Sequence, residues 1–202
     1  VINGESEIIY DANIPRITTT PEYSAYVKIA EGCDNRCAYC AIPLMRGRYR
    51  SRAMEDIKAE VERLVDRGVK EINLIAQDST NYGHDIYGQP HLAALLKELV
   101  KIDKLRWVRI LYCYPKYFTD ELIEIMASED KICKYVDLPL QHGHDAVLRR
   151  MNRVDTRASV EALLAKIRQR IPEVTIRSTF IVGFPGETAS QYQSLRDFIE
   201  QQ

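Results

Sequence analysis

The sequence predicts an α/β fold built on a parallel sheet. Five short runs rich in β-branched and aromatic residues alternate with five stretches of helical apolar spacing. Alternation of this kind implies parallel strands joined by right-handed crossovers. The unusual residue clusters all fall just after a strand-like run, where open parallel sheets bind their ligands.

Residues 1–22 read as an irregular lead-in or linker, because Pro15, Pro21 and Thr18-Thr19-Thr20 interrupt any regular period. Tyr26-Val27-Lys28-Ile29-Ala30 is the first strand and runs directly into a cysteine-rich loop. Met54, Ile57, Val61 and Leu64 then recur at helical spacing, and Gly68 sits where such a helix stops. Ile72-Asn73-Leu74-Ile75-Ala76 is the second strand, and Leu92, Leu95, Leu96 and Leu99 form the stripe of the next helix. Trp107 to Tyr112 is the third strand; Thr119 N-caps a helix through Leu122, Ile123 and Met126. Tyr135 to Leu140 is the fourth, followed by a helical region broken near Asn152 and resumed by Val160, Leu163, Leu164 and Ile167. Thr175 to Val182 is the fifth. After it, Pro185-Gly186 suits a tight turn, and Thr188-Ala189-Ser190-Gln191 a capping box for a helix burying Tyr192, Leu195, Phe198 and Ile199.

A chain of 202 residues is long enough for one domain with a substantial core and too short for three. A formal net charge of −1 supplies no overall field toward nucleic acid or an anionic membrane. Apolar runs are strand-sized, as in Phe180-Ile181-Val182, so no membrane-spanning helix is expected. Five Cys, three of them within eight residues, do not form a secreted disulfide framework, which favours a reducing cytosol. The chain opens Val1-Ile2-Asn3-Gly4-Glu5 without an initiator Met and stops at Gln201-Gln202 inside a helix-like stretch. It is therefore read as a piece of a longer protein.

The cysteine loop, Glu31-Gly32-Cys33-Asp34-Asn35-Arg36-Cys37-Ala38-Tyr39-Cys40, has the spacing C-x3-C-x2-C. Thiolates are soft ligands suited to iron–sulfur clusters or zinc. Three of them in one compact turn leave one iron of a four-iron cubane without a protein ligand and open to a small molecule. Structural zinc, the competing reading, wants four donors, and the next in sequence is His84. Cys113 and Cys133 belong to other units and read as core residues. His142 and His144 read as loop residues, and Gly183-Phe184-Pro185-Gly186 lacks the dinucleotide-binding spacing. No side chain is assigned as a catalytic acid, base or nucleophile.

C-x3-C-x2-C after the first strand of a βα repeat, with an aromatic residue (Tyr39) just before the last Cys, resembles the radical S-adenosylmethionine superfamily. Within it, Cys40-Ala41-Ile42-Pro43 leading to Arg46-Gly47-Arg48-Tyr49-Arg50-Ser51-Arg52 is similar to the methylthiotransferases. So is Thr179-Phe180-Ile181-Val182-Gly183-Phe184-Pro185-Gly186-Glu187-Thr188. Three further stretches, Ala76 to Gly83, Arg106 to Pro115 and Cys133 to His142, resemble the branch that acts on the twelfth small-subunit ribosomal protein (the RimO type). The resemblance implies a partial, open βα barrel with five of six βα units, a core domain over 23–202, and methylthiolation of an aspartate β-carbon. It also implies a [4Fe–4S] cluster on Cys33, Cys37 and Cys40, S-adenosylmethionine on its open iron, an electron donor and the ribosomal protein as partners, and an N-terminal cluster domain and C-terminal TRAM domain outside this chain. A fragment without those domains is not expected to complete the reaction.

Carried onto this sequence, Gln77, with Asp78 beside it, is the candidate contact to the methionine moiety, where other radical enzymes have Gly-Gly-Glu. Gln141 is a candidate for the ribose or the methionine moiety. Arg177 would meet the cofactor carboxylate as a bidentate partner, and Gly183 would give close backbone approach near the adenine. Tyr39 completes the cofactor-binding set. Arg46, Arg48, Arg50 and Arg52 alternate, which in an extended segment places them on one face, either solvated or against substrate near a ribosome surface. The rival readings are a transfer-RNA adenosine methylthiotransferase core, with the same cluster and cofactor, and a non-catalytic metal-binding domain.

Overall fold

A computed structural model describes residues 11, 12, 14, 17 and 19–202. Of the expected lead-in, Val1 to Tyr10, Pro15 and Thr18 lie outside the described residues. Strand β1 (Ser24–Lys28) is followed by the two-residue β2 (Ala30–Glu31), the short helix α1 (Ile42–Arg46) and β3 (Arg50–Ser51). Then come α2 (Met54–Asp66), β4 (Glu71–Ile75), the single-turn α3 (His84–Tyr87), α4 (Leu92–Leu99) and β5 (Trp107–Ile110). Helix α5 (Asp120–Ser128), β6 (Tyr135–Asp137), α6 (Asp145–Arg150), α7 (Arg157–Arg170), β7 (Thr175–Arg177) and α8 (Ala189–Gln201) complete the order.

The expected parallel architecture is present. β1, β4 and β5 form one parallel sheet in that order, with Ala25 opposite Ile72 and Ile72 opposite Val108. β6 and β7 form a parallel pair, and a bridge from Val108 to Ile132 connects the two groups. Successive units therefore stand side by side, as in an opened barrel. One face of the sheet carries the apolar residues: Val27, Ile72 and Leu74 are fully enclosed there, whereas the other face presents Tyr26, Asn73 and Arg109. Helices α2, α4 and α5 seal the outside with Ile57, Val61 and Leu64, with all four predicted leucines of α4, and with Leu122, Ile123 and Met126.

The regular pairing is shorter than the sequence pattern. β6 stops at Asp137 because Pro139 has no N–H to donate, and Ser178 Oγ takes over as acceptor from Leu140 N at 3.2 Å. The two segments stay side by side beyond that point, with Gln141 N donating to Thr179 O at 2.9 Å. β5 ends before Tyr112, whose φ of 60° turns the chain out of the sheet. The arginine series is not one face: Arg46 ends α1, whereas Arg52 is buried and pairs with Asp56 and Glu60, both at 2.6 Å. On α8 only Leu195 and Phe198 are buried. Tyr192 and Ile199 stay nearly half exposed, because among the described residues no element covers that flank.

Candidate cofactor site

The cysteine loop leaves the sheet at Gly32, whose φ of 77° is in the left-handed region. A Cβ there would lie 2.1 Å from the carbonyl oxygen of Arg48, so only glycine lets the loop cross the segment that follows α1. Two polar ties then hold it to the second βα unit. Asp34 Oδ1 accepts from Tyr49 N at 3.2 Å, and Tyr49 Oη donates to Asp78 O at 2.8 Å. Asn35 Nδ2 donates to Asp78 Oδ2, also at 2.8 Å.

Cys33, Cys37 and Cys40 line one cavity of about 570 Å³ together with Arg36 and Arg48. All five cysteines are free thiols. Burial raises the Cys33 thiol to a pKa of about 11, against opposing hydrogen bonds from Asn35. Such a thiol becomes a thiolate ligand only when a metal centre offsets that cost. Among the described residues, no three His, Cys, Asp or Glu side chains converge as the ligands of one ion would. A cubane differs, because each thiolate holds a separate iron. Cys113 is buried in the core as expected, and Cys133 is partly buried.

The other predicted contacts spread around the mouth formed by the strand ends. Gln77 lines a second cavity, about 360 Å³, with Lys28, Ile42 and Tyr112, and its Oε1 is buried without a hydrogen-bond partner. Asp78 is turned inward and caps the following turn. Its Oδ1 accepts from Thr80 Oγ1 at 2.8 Å and Asn81 N at 3.2 Å, while burial raises its pKa against those bonds. Its carboxylate thus braces the cysteine loop. Gln141 has φ 72° and bridges to Phe180. Arg177 is more than half exposed, 3.4 Å from Asp137 Oδ1. Gly183 has φ 71°, and a Cβ there would meet open space. Tyr39 stands between Cys37 and Arg153; burial, then the Cys37 charge, raises its pKa.

Sequence reasoning missed Asp34, Asn35 and Tyr49 as supports, and Asn152 and Arg153 as neighbours of the loop. Asn35 and Asp34 carried no signal beyond their place between cysteines. The helix break near Asn152 was visible, but its approach to a loop more than a hundred residues earlier was not.

The Radical SAM superfamily profile matches residues 27–199. A ribosomal protein uS12 methylthiotransferase RimO from Desulforamulus reducens is 56% identical over 193 residues, 96% of this chain and 44% of that protein. The enzyme of that name from Heliobacterium modesticaldum is 55% identical over 97% of this chain and 43% of its own length. The chain thus spans less than half the length of these curated relatives. Among solved structures, the radical S-adenosylmethionine methyltransferase TsrM from Kitasatospora setae, with cobalamin and a [4Fe–4S] cluster bound, superposes with a TM-score of 0.69. The match covers 87% of this chain and 34% of that one at 20% identity, a likeness of fold alone.

Proposed function

The chain belongs to the radical SAM superfamily, and from that premise we propose that it is the radical core of an enzyme that methylthiolates the β-carbon of an aspartate in ribosomal protein uS12. The observation that carries the reading is that Cys33, Cys37 and Cys40 all line one cavity, in the loop that follows the first strands. Identity of 55–56% to enzymes of that name supports the substrate assignment.

The residues fit the cofactors. Three soft donors with no fourth among them suit a [4Fe–4S] cluster whose last iron takes S-adenosylmethionine. When bound, the pair supplies a 5′-deoxyadenosyl radical after one-electron reductive cleavage of the sulfonium. The chain's own residues bind and orient. Cys33, Cys37 and Cys40 would hold three of the irons, and Tyr39 would shield the Cys37 side. The unpartnered Oε1 of Gln77 is suited to accept from the cofactor's ammonium. Asp78 keeps the loop and strand β4 in register. Gln141, the exposed Arg177 and the bare backbone at Gly183 would meet the remaining polar groups of the nucleotide and carboxylate.

Residues 23–202 form this core in the proposal, with a low-potential electron donor and the ribosomal protein, on or off the ribosome, as partners in the cytoplasm. Among the described residues, no helix is long and apolar enough to cross a membrane. The reading is tested by anaerobic reconstitution with iron and sulfide followed by a dithionite-driven assay. The expected results are about four irons on this loop, lost together on C33A/C37A/C40A, and release of 5′-deoxyadenosine. A colourless protein carrying one zinc refutes it. In the longer protein, a methylthio mass increase on transfer RNA instead of uS12 overturns the substrate assignment alone.

A further inference from the structure

The cysteine loop is gripped from a second side, by a segment outside the strand ends. Past α6 the chain turns sharply at Asn152, a non-glycine residue with φ 55°. A backbone of that kind costs about 1–2 kcal/mol, and asparagine is among the side chains that tolerate it best. Here the turn makes two long-range bonds. Met151 O accepts from Ala38 N at 2.9 Å, and Asn152 Nδ2 donates to Arg36 O at 2.7 Å. Both partners lie inside the C-x3-C-x2-C segment, one on each side of Cys37.

The same turn delivers a buried cation. The side chain of Arg153 is 3% exposed. Its guanidinium carbon lies 3.9 Å from the Tyr114 ring centroid, and Nη2 donates to Pro139 O at 3.3 Å. Nη2 also stands 2.9 Å from Asp155 Oδ2, whereas Nε is buried without a hydrogen-bond partner. Tyr39 and Cys37 both lie within reach of its charge. Asp155 balances that charge in part from beyond, where it also feels Lys116. A charged side chain this enclosed is costly to keep without a task, and an unpaired N–H on it more so.

We propose that the Met151–Arg153 turn is the second clamp of the cysteine loop, and that Arg153, acting through Tyr39, sets the reduction potential of the centre on Cys37. The inference rests on the assignment of the three thiols as cluster ligands. Reduction adds one electron from a low-potential one-electron donor, and so one negative charge, with no bond made or broken in the protein. A fixed cation carried by a turn that bonds the loop on both sides of one cluster cysteine favours the reduced state, and nearby charge and hydrogen bonding to the sulfurs are the levers a protein has over such a potential. Arg153 is thus a positioning residue, and its effect is read without turnover.

The test is a dithionite titration of the anaerobically reconstituted protein, followed by the electron paramagnetic resonance signal of the reduced cluster. Arg153→Gln is expected to keep the iron content and lower the reduction equilibrium at least tenfold, a shift of about 59 mV to more negative potential for one electron. Arg153→Lys, which keeps the charge, is expected to recover most of that shift. A loaded Arg153→Gln protein with the wild-type potential overturns the proposal. If that variant fails to load, Tyr39→Phe decides, since it leaves the guanidinium packed on Tyr114. A more negative potential there supports the proposal, and an unchanged one overturns it. A wild-type protein that takes up no cluster refutes the ligand assignment itself, an outcome distinct from a loaded cluster of unmoved potential.

Discussion

Gly32 and the three cysteines divide the work at the candidate site: in the proposed reading the thiols supply donors, and the glycine sets where they go. A Cβ at position 32 would meet three backbone atoms of the Gly47–Arg48 segment at 2.1–2.7 Å. Backbone of the crossing segment cannot swing aside as a side-chain tip does. Gly32→Ala is therefore expected to cost more than the about 1–2 kcal/mol of a left-handed alanine, and to lower the iron bound after reconstitution. Gly68→Ala is the control, since Gly68 has φ 105° with nothing within 4 Å of its absent Cβ. It should lose only the backbone contribution in urea unfolding and keep full iron loading. Equal losses in the two variants would mean that the crossing at Gly32 is not tight. That the three cysteines share one compact loop was legible because spacing is a one-dimensional property; the structure adds that they line one cavity. Asp78 was only half legible: the sequence marked the strand end but not that the carboxylate turns inward to Asn35 and Thr80.

Elements were most legible where local chemistry decides them. Thr119 and Thr188 both act as the N-caps that their sequence context predicts, and Thr188 with Gln191 forms the complete capping box. Thr188 Oγ1 accepts from Gln191 N at 3.3 Å, and Gln191 Oε1 accepts in return from Thr188 N at 3.1 Å. Removing the hydroxyl leaves a first-turn N–H to water, so Thr188→Ala should lower stability by about 1 kcal/mol, with Thr188→Asn restoring most of it. Urea unfolding followed by circular dichroism measures both. An alanine variant as stable as wild type would show that the buried Leu195 and Phe198, the latter packed against Gly143 and edge-on to Phe180, fix α8 without its cap. Elements were least legible where distant partners decide them. The pairing of Ala30-Glu31 with Arg50-Ser51 joins residues separated by the whole cysteine loop, and no two-residue strand has a detectable period. The inward turn of Arg52 likewise depends on Asp56 and Glu60 reaching it from α2.

For the molecule as a whole, alternation of strand and helix made the parallel order readable, but not what ties the last unit to the one before it. Beyond the strand pairing, one such tie is a buried pair. His142 Nδ1 accepts from His144 N at 3.0 Å, so the ring proton sits on Nε2, 3.3 Å from Glu187 Oε1. Accepting at one nitrogen and donating at the other requires a neutral imidazole. Burial pushes the His142 pKa below its ordinary value and outweighs the pull of Glu187; His144 and Arg150 add to the depression. Burial works against the Glu187 carboxylate, but hydrogen bonds from His142, Phe184 and Gly183 together bring its pKa below the usual value. A histidine depressed in the folded state takes up protons preferentially on unfolding. Its contribution to stability is complete above the unfolded pKa of about 6.5 and declines as pH falls through that value toward the folded one. The Glu187 contribution is lost in turn at lower pH, as the medium passes below about 4.3. Unfolding free energy is thus expected to be level just above neutrality and to fall from about pH 6.5 downward. His142→Gln should be less stable at pH 7.5 yet show a flatter profile between pH 7 and the acid limb. A variant whose slope in that window matches wild type would mean that the proton uptake lies elsewhere. Because Glu187 also accepts from Phe184 N at 3.0 Å, protonation there loosens the loop that carries Gly183. The Gly183 side of the mouth should therefore be the first part of the barrel to open in acid, read as faster amide exchange at Phe184 than along β4.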